Sequence, residues 1–154
     1  MNERIIARGL DLSPLWRQMR QRFQFDHLAF EILSPDDPDN PHRRTALLLL
    51  KPSAITGRIS NVVGPENLRV EYDRLPPDLY SCRLTILGGV RKALMEASKY
   101  SWGCKVALNL AAGQFGIGTR VFNHSVDVRV DADEELANPE EVRRTLLERG
   151  VIAQ

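Results

Sequence analysis

Along this chain the apolar positions alternate between a spacing of two and a spacing of three to four, the pattern of strands interleaved with amphipathic helices. Ser13-Pro14 predicts a helix start, with Ser as the N-cap and Pro at the first helical position. Leu15, Trp16, Met19 and Phe23 then fall on one face of a helix expected to run to about Phe23. From His27 to Leu33 the period is two, with Leu28, Phe30 and Ile32 on one side, which predicts a half-buried strand. Three prolines among Asp and Asn make 35–41 an exposed loop. Thr45 to Lys51 holds four consecutive leucines and reads as a strand buried on both faces, although so short a run also suits a helix.

Ile55 to Val63 and Asn67 to Asp73 read as two strands around the hairpin-length turn Gly64-Pro65-Glu66. After Pro76-Pro77, Tyr80, Cys82, Leu84 and Ile86 alternate with polar residues in a further strand. Gly88-Gly89 is expected to end it, and Val90 to open a helix through Ala93, Leu94 and Ala97 as far as Trp102-Gly103. Cys104 to Leu110 alternates like a strand, while its Ala and Leu content leaves a helix open. Val126, Val128 and Val130 mark another strand. Asn138-Pro139-Glu140-Glu141 begins a terminal helix to about Arg149, stopped by Gly150. Successive strands joined by short turns place the chain in the α+β class: a single domain over 1–154, with a mainly antiparallel sheet of five or more strands and helices packed on one face.

Composition narrows the function classes without selecting one. With 154 residues, 43% of them apolar, the chain can bury a core without cross-links or a metal. Lys plus Arg number 21 and Asp plus Glu 20, a formal net charge of +1, which argues against nucleic acid as a partner. The longest apolar run, Ala46 to Leu50, is far too short for a membrane span, and the first residues lack the apolar core of a secretion signal. The expectation is a soluble, cytoplasmic chain with no membrane partner. Cys82 and Cys104 form no CxxC and read as structural thiols. His27, His42 and His124 show no metal-ligand spacing, so neither a metal nor another cofactor is expected.

The most distinctive hexapeptide is Gly113-Gln114-Phe115-Gly116-Ile117-Gly118, whose glycines allow a sharp turn that could aim backbone N–H groups at an anion. These six residues resemble the glycine-rich lid-hinge motif of the Hsp90-type ATPases. The DxGxG box of that family is absent here, and Glu96 and Asn109 lack its context, so its activity does not carry over. Arg120 and His124 follow closely, giving a candidate anion-binding set of Gly113, Gly116, Gly118, Arg120 and His124. Gly88-Gly89 with Arg91 and Lys92 is a second candidate, on the premise of a helix N-terminus there. Arg17, Arg20 and Arg22 could meet phosphates, or simply face solvent while the aromatic side of their helix docks on the sheet.

Two readings follow. The first is a non-enzymatic binding or assembly module, pairing with itself or another protein through a sheet edge or an amphipathic helix. The second is a small enzyme or binding protein for a phosphorylated or otherwise anionic compound held at the 113–118 loop. No general acid, base or nucleophile is assigned.

Overall fold

The computed structural model describes residues 11–97, 100–122 and 124–154. In chain order the elements are α1 (Ser13–Met19), β1 (Leu28–Ile32), β2 (Arg43–Leu50), α2 (Pro52–Val63), β3 (Leu68–Leu75), β4 (Leu79–Ile86), β5 (Gly89–Glu96), α3 (Tyr100–Gln114), β6 (Ser125–Arg129) and α4 (Pro139–Glu148). The class is α+β, but the sheet is not one of five or more strands. The strands form two antiparallel sheets of three, ordered β1-β2-β6 and β3-β4-β5. The described residues cluster into two compact units: 11–21 with Lys51–Thr119, and Arg22–Leu50 with Arg120–Gln154.

In the first unit β3, β4 and β5 form a meander of eight-residue strands, with Leu68 opposite Ile86 and Ile86 opposite Gly89. The helix expected from Val90 is therefore β5. Leu87 and Gly88, at φ 51° and 83°, form a two-residue reversal of the kind whose twist matches hairpin strands. A left-handed Leu costs about 1–2 kcal/mol. Leu87 is buried, and burial of a leucine contributes about 1.5–3 kcal/mol, enough to offset that strain. Val90, Lys92, Leu94 and Glu96 then alternate with Arg91, Ala93 and Met95 across the sheet.

Two segments read as strands are helices. Ile55, Ile59 and Val63 recur every four residues and are all buried, Pro52 opens the first turn, and Gly64 at φ 89° ends the run as α2. In Cys104 to Leu110 alternation could not decide, because Val106, Ala107 and Leu108 are all buried, as are Ala111 and Ala112 beyond them. These small residues let α3 lie close on β4 and β5. At Gly103 the approach is so close that a Cβ would collide with the edge of the Tyr80 ring. Even and odd residues of β4 divide accordingly: Tyr80, Cys82, Leu84 and Ile86 are buried on the α3 side, while Arg83 is exposed on the other.

The first helix is shorter than its periodicity implied. It ends at Met19, and Ser13 is its first residue rather than its cap. Asp11 instead accepts the Ser13 N–H at 2.9 Å, and hydrogen bonding to Ser13 holds its carboxyl below the usual value. Arg58 of α2 donates to the Gln21 carbonyl at 2.8 Å, fastening the chain that leaves α1.

The second unit is built on β2, paired on one side with β1 and on the other with β6. Ala46, Leu48 and Leu50 form a buried face, while on the other face Leu49 is buried and Thr45 and Leu47 are half-buried, so the strand expected to be enclosed on both faces is fully enclosed on one. The terminal helix also stands where it was read. Val142 and Leu146 are its buried stripe, and Gly150 at φ 71° closes it, the amides of Gly150 and Val151 returning to the carbonyls of Leu147 and Leu146.

Candidate functional site

The glycine-rich hexapeptide is the end of α3. Gly113 lies in its last turn, and Gly116 at φ 81° reverses the chain. The amide of Gly116 donates to the Gly113 carbonyl at 2.9 Å and that of Ile117 to the Ala112 carbonyl at 3.0 Å, while Phe115 also donates to Ala112. This paired pattern is a Schellman cap, with the buried Ile117 as its apolar partner. Three successive amides that an anion cradle would use are thereby engaged. Gly118, at φ 74°, follows in the turn.

What gathers at this helix end is a stack of side chains. Trp16 of α1 lies on Phe115 at 5.5 Å between centroids, their planes 16° apart. The Arg20 guanidinium sits 5.3 Å from the Trp16 ring, and that of Arg91 on β5 sits 5.1 Å from the Phe115 ring. Cation–π attraction of this kind is worth about 0.5–1 kcal/mol at exposed sites. Arg20 Nε also donates to the Phe115 carbonyl at 2.8 Å, where a cation complements the negative end of a helix. Gln114 Nε2 reaches the Lys92 carbonyl at 3.0 Å. Among the described residues no carboxylate lies within ion-pair distance of Arg17, Arg20, Arg91 or Lys92. The sequence pattern alone puts Arg91 and Lys92 at a helix start and Arg20 on a helix whose aromatic side docks on the sheet. The signal it lacked was the hairpin turn that returns β5 to the end of α3.

Arg120 and His124, the remaining members of the candidate set, belong to the second unit, whereas Gly113–Gly118 belongs to the first. Both side chains are exposed. The main chain of His124 is structural: its carbonyl accepts the Leu48 N–H at 2.9 Å and its amide donates to Val121.

The opposite face of the β3–β5 sheet carries Arg69, Glu71, Asp73 and Leu75 on β3, Arg83 and Thr85 on β4, and Val90, Lys92, Leu94 and Glu96 on β5. Leu75, Val90 and Leu94 are 51%, 46% and 53% exposed, unusual values for large aliphatic side chains in strands. Among the described residues the sheet order gives β3 and β5 a strand neighbour on one side only.

In the second unit a cavity of about 220 Å³ is lined by residues that include Asp36, Asp37, Asp127, Arg43 and Arg44. Arg44 is already committed, donating to the carbonyls of Pro41 and Leu33 and pairing with Glu134 at 3.0 Å. Among the described residues no three His, Cys, Asp or Glu side chains converge as a metal-binding group, and no helix is long and apolar enough to cross a membrane. The Cys82 thiol, between β4 and α3, is pushed up to about 12 by burial and then by Cys104, so it stays protonated.

Comparison of the chain with protein-family models, with curated proteins and with solved structures finds no match.

Proposed function

We propose that this chain is a non-enzymatic association module whose β3–β5 sheet pairs with a second copy of the chain along an outer strand. The observation that carries the reading is the meander itself: two eight-residue outer strands, each with a strand neighbour on one side only among the described residues, beside a face that exposes Leu75, Val90 and Leu94. Unpaired edges of this length are templates for further strand pairing, and oligomers are a common way of covering them. Light scattering coupled to size exclusion, across micromolar concentrations, tests it. A mass above the 17.4 kDa of one chain is expected, and a single-chain mass at every concentration overturns the reading.

A second reading is favoured by how charge divides. Among the described residues the two units differ in sign: the first holds ten basic and six acidic residues, the second eight basic and thirteen acidic. The basic unit contains the Arg20–Trp16–Phe115–Arg91 stack, and among the described residues no carboxylate lies within ion-pair distance of its two arginines. Arginines next to aromatic faces suit a phosphate-bearing strand, so the anionic ligand best matched to this unit is a single-stranded nucleic acid. Whole-chain neutrality, which argued against such a partner, does not describe the unit that would meet it. Fluorescence anisotropy with a labelled oligothymidine tests this reading. Arg20→Ala combined with Arg91→Ala is expected to weaken binding by about tenfold or more, with a shallower salt dependence. Absence of binding at low salt overturns it.

A further inference from the structure

Resting on the nucleic-acid reading, we infer that the arginine–aromatic stack is only the first half of the binding site: a single-stranded nucleic acid passes from it over the outer edge of β5 and continues onto Arg83 and Lys92, on the face of the meander away from α3. Two hydrogen bonds put the stack at that edge. The Ala97 amide bonds the Asp78 carbonyl, so the even-numbered residues of β5 aim their main-chain groups away from β4. Two of those outward carbonyls are held from the side of the stack. Val90 accepts from Arg91 Nη1 at 2.9 Å, and Lys92 accepts from Nε2 of Gln114, the neighbour of Phe115, at 3.0 Å. Successive residues of a strand point to opposite faces. Arg91 therefore lies over Phe115 on one face, while the side chain of Lys92, one residue on, stands on the other.

On that second face Lys92 is directly opposite Arg83 of β4, and both are exposed. Like charges set opposite one another in a sheet are destabilising, and a carboxylate beside them would relieve the cost. The carboxylate opposite Arg83 on β3 is that of Glu71, which pairs instead with Arg69 of its own strand at 3.1 Å. Among the described residues no carboxylate lies within ion-pair distance of Arg83 or Lys92. The pair is a cationic seat that the fold leaves uncompensated, and a phosphate group supplies the missing charge. Val90 and Leu94 flank Lys92 on the same face, 46% and 53% exposed, and give bases an apolar surface to lie on. Asp73 and Glu96 occupy the rows beyond, toward Leu75, so the strand runs on toward Thr85 instead.

The shape of this track selects the ligand. Arg20 and Arg91 each spend one N–H on a main-chain carbonyl and keep the rest of the guanidinium for phosphate oxygens. Reaching both these arginines and the Arg83–Lys92 pair means turning around a strand edge. A duplex, stiff over about 150 base pairs, cannot make that turn, and a planar membrane surface meets one face only.

Fluorescence anisotropy of the full chain with labelled oligothymidines of about four and about sixteen nucleotides tests the track. Arg83→Ala combined with Lys92→Ala is expected to weaken binding of the longer oligomer by about tenfold or more and to lower its salt slope by about 1.4. The shorter oligomer, which the stack alone holds, is expected to keep its affinity within about twofold. Arg143→Ala combined with Arg144→Ala removes the same charge from the second unit and is expected to leave both affinities within about twofold. Thermal unfolding of the Arg83, Lys92 double variant is expected at or above the temperature of the natural chain, since a like-charge pair is gone, which separates lost binding from lost folding. Equal weakening by the two double variants, equal affinity for a duplex of the longer length, or binding of phosphatidylserine vesicles that Arg83→Ala with Lys92→Ala abolishes, overturns the track while leaving the reading of the stack standing. No binding of either oligomer at low salt overturns the nucleic-acid reading itself.

Discussion

Gly103 shows how one missing atom sets the distance between a helix and a sheet. Alanine normally stabilises a helix interior by about 1 kcal/mol over glycine. Here its Cβ would collide with the edge of the Tyr80 ring, and Tyr80 is buried. Gly103→Ala is expected to lower stability by about 1–3 kcal/mol in urea unfolding, the usual cost of overpacking. Gly113, with nothing within 4 Å of a built Cβ, should behave in the opposite way: Gly113→Ala raises stability by about 0.5–1 kcal/mol. Gly116→Ala, at positive φ and against Arg20, lowers it by about 1–2 kcal/mol. This opposed pair separates a helix cap from an anion loop in which every glycine is needed.

Cys82 adds a pH dependence. Its native pKa lies above that of an unfolded thiol, so the folded chain retains a proton that the unfolded chain releases. The stability it contributes is whole below about pH 9 and falls as pH rises toward 12, by up to about 1.4 kcal/mol per pH unit. Urea titrations at rising pH, compared with Cys82→Ala, should show a steeper decline for the natural sequence.

At the scale of elements, residues that face solvent on one side and core on the other were legible, and segments enclosed on all sides were not. The alternation of apolar with polar residues from Asn67 to Asp73 and from Tyr80 to Ile86 identified β3 and β4, because the polar side chains of both strands share the face away from α3. The stripe of Val142 and Leu146 identified α4 for the same reason. Where Val106, Ala107 and Leu108 are all buried, periodicity loses its contrast. Gly88 announced a turn but not its kind, since the choice rested on Leu87 taking a conformation that leucine rarely adopts. The candidate site was legible in parts only. Arg20, Arg91 and the glycine segment were each visible in the sequence, and it took the reversal at Leu87–Gly88 to bring them to one helix end.

At the scale of the whole molecule, near-neutrality conceals separated charge. With ten basic and six acidic described residues in one unit, and eight basic and thirteen acidic in the other, the chain carries regions of both signs. Retention on both cation- and anion-exchange resins is therefore expected at neutral pH and low ionic strength, and is lost within a few hundred millimolar salt as screening shortens to several ångströms. A chain with evenly mixed charge would pass through one of the two columns. Both functional readings draw on the same unit, the first on its outer strand and the second on the arginines around α3. Sedimentation with and without oligothymidine would show whether the two activities coexist.

The second unit is discontinuous, and this bears on the order in which a ribosome delivers the molecule. β2 leaves the exit tunnel with β1 already made, but β6, its other neighbour, follows only after all of Lys51–Thr119 has been translated. Throughout that interval Ala46 to Leu50, among the most apolar segments of the chain, has one flank waiting. The intervening residues can meanwhile close their own meander from neighbours in sequence, so translation completes one unit while the other is still unfinished. A nascent chain stalled before Ser125 would thus be the form most in need of a holding chaperone.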